Sequence, residues 1–87
     1  MKELLERNYQ STVKRGLIDE FTSIEDFLAK IEEEVLELWS FYDINDKIEP
    51  FELADIILVC LNMATHFKID IEAILMAKVR YNEKRED

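Results

Sequence analysis

The 87 residues include only one glycine, one proline, one cysteine and one histidine. So few turn formers argue against a many-stranded fold and for a few long helices. The single cysteine, Cys60, excludes an intrachain disulfide. It lies in the apolar run Ile56 to Leu61 and reads as a small core residue of a reduced, cytoplasmic compartment. Lone His66 has no second His or Cys at ligand spacing. A zinc site is therefore not expected, and a solvent-facing or pocket-edge histidine is. The longest apolar run is six residues, far short of the ~20 that cross a bilayer. MKELLER is charged with no apolar stretch behind it, so no signal peptide is expected. Basic residues are scarce too, 11 against 20 acidic ones for a formal charge of −9. Such a surface matches neither nucleic acid nor an anionic membrane. An anionic small molecule would need cations to mediate its binding.

Hydrophobic residues make up 48% of the chain, a globular composition. Residues 1–87 suffice for one domain with a small core, the kind that gains stability from oligomerisation or a metal. Four helices are expected. The first spans Lys2 to about Arg15, with Leu5, Tyr9 and Val13 on one face and Gly16 ending it. Thr22 as N-cap with Glu25 at N3 reads as a capping box opening a second helix, Ser23 to about Tyr42. Residues 43–47 read as a loop. Pro50 suits the first turn of a third helix running to about Phe67. Asp70 is a fair N-cap for a fourth, Ile71 to about Lys84. The loop DINDKIEP lacks the glycine at position 6 and the glutamate at position 12 of an EF-hand, which excludes that reading.

At ~100° per residue, Glu52, Asp55, Val59, Asn62 and His66 form one narrow stripe on the third helix. Apolar residues dominate its other faces, so the helix should be wrapped on most sides. On the second helix Phe27, Leu28, Ile31, Val35, Leu38, Phe41 and Tyr42 define an apolar arc. Glu34 falls inside that arc and Glu37 at its margin, whereas Glu25 and Glu32 point to solvent. Acidic residues on amphipathic helices are usually just solvated. Here, however, the i, i+3 pair Glu34/Glu37 is matched by Glu52/Asp55 on the next helix, and antiparallel helices would bring the pairs face to face. Four converging carboxylates raise one another's pKa unless cations neutralise them. Oxygen-only ligands suit Mg²⁺ or Mn²⁺. On the fourth helix Lys78, Asn82 and Arg85 share a face with Ile71, Ile74 and Leu75. A snorkelling lysine and basic residues complementing the helix dipole account for them equally well. Trp39 and Tyr9 could stack on a base, though aromatics at helical spacing are more often core.

EEVLE (residues 33–37), followed after 14 residues by ELAD (52–55), resembles the EExxE…ExxD motif of MazG-like proteins. These belong to the all-α nucleoside triphosphate pyrophosphohydrolase superfamily. KIDIEAILMAKVRYNEKR (68–85) is similar to the last helix of that family, with Lys78 and Asn82 as its K-x-x-x-N. The resemblance covers residues 24–85. It implies a four-helix MazG-like bundle completed by oligomerisation as a homodimer or homotetramer. It also implies Mg²⁺ (or Mn²⁺) held by Glu34, Glu37, Glu52 and Asp55, with Glu33 in its surroundings or orienting water. Lys78, Asn82 and, beside them, Arg85 would face the nucleotide. The implied reaction hydrolyses a (d)NTP to the monophosphate and pyrophosphate. Phosphoribosyl-ATP pyrophosphohydrolase, from the same superfamily, and a non-catalytic helical dimerisation module are the alternatives.

Overall fold

Local hydrogen bonding sets where each helix starts and stops. The computed structural model describes residues 1–86, which form α1 (Lys2–Lys14), α2 (Ile24–Asn45), α3 (Pro50–His66) and α4 (Ile71–Glu83). There is no strand among the described residues, and no helix is long and apolar enough to cross a membrane. α1 ends in a Schellman motif. Gly16 takes φ 76°, its N–H donates to the Val13 carbonyl, and the Leu17 N–H donates to that of Thr12. α3 ends the same way with Lys68, at φ 58°, in the position that favours glycine.

The capping box before α2 sits one residue later than its sequence spacing suggests. Ser23 accepts from the Asp26 N–H, and Asp26 accepts from the Ser23 N–H at 2.9 Å. Thr22 is engaged in the preceding turn, where its hydroxyl accepts from the Asp19 N–H at 2.9 Å. α2 also continues through the expected loop residues 43–45 and stops at Asp46, which adopts the left-handed conformation at φ 53°. Pro50 opens α3, and Asp70 caps α4 by accepting from the Ala73 N–H.

α2 and α3 pack as an antiparallel hairpin. Phe27 meets His66 at one end, with ring centroids 5.3 Å apart, and Glu34 and Glu37 meet Glu52 at the other. α1 lies on α3 through side-chain amides. Asn8 donates to the Asn62 side chain and to the Leu58 carbonyl, and Asn62 donates to Thr12, each at 2.9 Å. Ile18, Phe27, Leu61 and Ala64 are the buried apolar residues. α3 is the one helix against which α4 packs among the described residues, with the Met1 ammonium 3.5 Å from Glu72, and Ile74, Leu75, Met76 and Val79 stay exposed.

Two expectations are corrected here. Cys60 is exposed, not core. The cause is the orientation of α3: Asn62, His66 and Glu52 of its polar stripe turn toward α1 and α2, while Leu53, Ile57 and Cys60 stay open. His66 is not solvent-facing. It is half-buried between Tyr9, Phe27 and Phe67, behind Thr22 and Phe27 of a cavity wall. Its Nε2 donates to the Thr22 carbonyl at 3.0 Å, which in the neutral ring leaves Nδ1 to accept from the Tyr9 hydroxyl at 2.8 Å.

The accessible surface of the chain is 7177 Å², against about 5,400 Å² for a compact monomer of this mass. Its radius of gyration is 14.9 Å, where about 12 Å is usual for this length.

Candidate metal centre

Helix phase carries Glu34 into the α2–α3 contact. It lies seven residues, close to two turns, after the buried Phe27 and so shares its face. Only 7% of Glu34 is exposed. Glu37 follows one turn later at the rim. Glu52 reaches the pair from the first turn of α3. Pro50 and the N-cap residue Glu49, whose carboxylate accepts from the Glu52 N–H at 2.8 Å, fix that turn. One carboxylate oxygen from each of Glu34, Glu37 and Glu52 lies within 4.8 Å of the others.

The trio is electrostatically unbalanced. The charge of Glu34 beside it pushes the Glu37 carboxyl above its usual range, and Glu52 and Glu33 add to this. The nearby cation is Lys30, whose Nζ stands 3.2 Å from Glu34 Oε1 and 3.5 Å from Glu33 Oε1. Glu34 Oε2 and Glu52 Oε2 are enclosed with no hydrogen-bond partner. Buried carboxylate oxygens without a donor are costly. A hard divalent cation is the ligand that three converging oxygens satisfy best. The donor set therefore fits Mg²⁺ or Mn²⁺.

The trio stands between two concavities. A shallow groove of about 660 Å³ runs past Glu33, Glu37 and Glu52 along α2. A more enclosed cavity of about 380 Å³ lies on the other side, lined by Lys30, Glu34, Asp55, Asn8, Thr12 and Asn62 among others. Both are of a size that accommodates a small molecule.

Of the residues expected from sequence, the structure brings Glu34, Glu37 and Glu52 together. Asp55 is not part of that trio. It is exposed and faces the enclosed cavity beside Glu34, because three residues along a helix rotate it by about 60° from Glu52 and its side chain is one methylene shorter. Glu33 is exposed and pairs with Lys30. Lys78, Asn82 and Arg85 do not join the site in a single chain, since no α4 residue lines either concavity. Lys78 sits over the Tyr81 ring at 4.7 Å, and Arg85 donates to Asn82 at 3.4 Å. Trp39 is exposed against Tyr42, and Tyr9 is engaged by His66. Sequence reasoning missed Lys30, although its i, i+4 spacing from Glu34 is a readable signal. It also missed Asn8 and Thr12, which only tertiary packing joins to Asn62. Comparison with family models, with curated proteins and with solved structures returns no match to this chain.

Proposed function

We propose that this chain is a Mg²⁺-dependent nucleoside triphosphate pyrophosphohydrolase of the MazG-like kind, with Mn²⁺ as an alternative metal. It would convert a (d)NTP to the monophosphate and pyrophosphate. The observation that carries the reading is the convergence of Glu34, Glu37 and Glu52 with two buried oxygens left unpartnered. The bound metal would neutralise phosphate oxygens and lower the pKa of water, which is what phosphoanhydride hydrolysis requires. Glu34 and Glu52 would hold it from two helices with Glu37 at the rim, and Asp55, which lines the enclosed cavity beside Glu34, would add a further carboxylate. Glu33, exposed on the groove side, is positioned to orient water.

Lys78, Asn82 and Arg85 take part in this reading only across an oligomer interface. The surface excess supports such an interface. About 1,800 Å² per chain beyond a compact monomer is in the range of an obligate interface. The exposed apolar positions of α2, α3 and α4 supply its chemistry.

The test is a panel of ordinary and oxidised (d)NTPs with Mg²⁺, read as pyrophosphate release and paired with light scattering. Pyrophosphate with a monophosphate product, from a particle at least twice 10.4 kDa, is the expected result. Orthophosphate as first product contradicts the chemistry, and a stable monomer at micromolar concentration contradicts the assembly.

A further inference from the structure

Lys30 stands one helical turn before Glu34, and its ammonium is 3.2 Å from Glu34 Oε1. The ion pairs of the described residues include no other cation at Glu34, Glu37 or Glu52. The Lys30 side chain is 45% exposed, against 9% for that of Glu34. The lysine can therefore swing away while the glutamate cannot. The same stem also lines the enclosed cavity, so an ammonium released from Glu34 has a place to go.

We propose that Lys30 is a tethered competitor of the metal: its ammonium on Glu34 Oε1 and a divalent cation drawn to the unpartnered Oε2 are rivals for one carboxylate, and their mutual repulsion makes occupancy by one disfavour the other. This rests on the metal-centre reading given above and adds its regulation. A tethered rival is present at a fixed local concentration. It therefore sets a threshold of free metal below which the ammonium holds the site and above which the dication does. The exchange keeps the buried glutamate neutralised in both states, which an acidic cluster without such a lysine cannot do.

The experiment is calorimetric titration of the nucleotide-free protein with MnCl₂, so that no catalytic readout is involved. Lys30→Met keeps the apolar stem and removes the charge. It is expected to bind Mn²⁺ roughly five- to tenfold more tightly than wild type, the size of one partly exposed pair. Lys30→Arg, which retains a competitor, is expected to stay near wild type. Lys30→Gln serves the same purpose as Lys30→Met should the latter fail to fold. Equal affinity of wild type and Lys30→Met overturns the competition while leaving the metal centre standing. So does weaker binding by Lys30→Met, or Lys30→Arg binding as tightly as Lys30→Met. Absence of Mn²⁺ binding in every variant overturns the metal centre itself.

Discussion

Asn62 and Glu34 are the two buried polar residues among those described, with 5% and 7% exposure, and they are solved differently. The Asn62 oxygen accepts from Asn8, and its amide donates to Thr12. Asn8 spends its second amide proton on the Leu58 carbonyl. That cluster is complete without help from outside the chain. Glu34 has one oxygen at Lys30 and one with no partner, and Glu52 across the hairpin repeats the deficit. A satisfied buried network specifies the packing of α1 on α3, whereas an unsatisfied one calls for a partner that the chain does not supply. Both lie along one cavity wall, so burial alone does not distinguish scaffold from site. The balance of donors and acceptors does.

The comparison is broken most sharply at Glu34. Glu34→Gln should lower pyrophosphohydrolase activity on the order of a thousandfold while leaving the helical circular dichroism intact. Full activity in that variant would remove Glu34 from the site.

A smaller effect is expected at Asn62. Asn62→Ala leaves Asn8 and Thr12 short of a partner and should cost about 2 kcal/mol, near 10 °C in melting temperature for a domain of this size. The variant should still gain from Mn²⁺ as wild type does, about 2.7 kcal/mol at a hundredfold excess over the dissociation constant. Glu52→Gln should show the reverse pattern, with little loss without metal and little gain with it. Thermal melts with and without MnCl₂ read all of these outcomes.

The smallest effect sharpens the electrostatic side. Glu37 has a folded-state pKa above its ordinary value of 4.5, chiefly because of the charge on Glu34. The native state therefore binds protons more tightly than the unfolded chain. This contribution is complete below the unfolded pKa and is lost as pH rises through the raised folded one. Urea unfolding of the metal-free protein across the mildly acidic range should show stability falling with pH along this limb. Glu37→Gln should flatten the limb.

The helix count, the start of α3 at Pro50 and the cap at Asp70 were legible in the sequence because they depend on neighbours a few residues away. The inward aim of Glu34 was legible for the same reason, since helical phase fixes it relative to Phe27. The start of α2 was misread by one residue because Thr22 is claimed by Asp19, a competition that spacing does not reveal. The apolar circumference of α3 suggested a helix wrapped on most sides without saying which side faces its own chain. That inward side is the polar stripe, whose partners Asn8, Thr12 and Tyr9 arrive from the far end of the sequence. The position of Asp55 beside the trio instead of within it follows from a rotation that an ExxD spacing contains but does not advertise.

Sequence separation gives the hairpin a kinetic meaning. Glu34 and Glu52 are 18 residues apart, whereas Asn8 and Asn62 are 54 apart. Closing the longer loop costs about 1 kcal/mol more in chain entropy, so α2 and α3 should meet before α1 latches onto them. The carboxylates are then driven together early, while the chain still lacks the amide contacts that hold the finished fold. Like-charge repulsion accordingly falls on the folding step and not on the unfolding step. Salt and divalent cations, by screening that repulsion, should therefore act on this protein chiefly by speeding its folding.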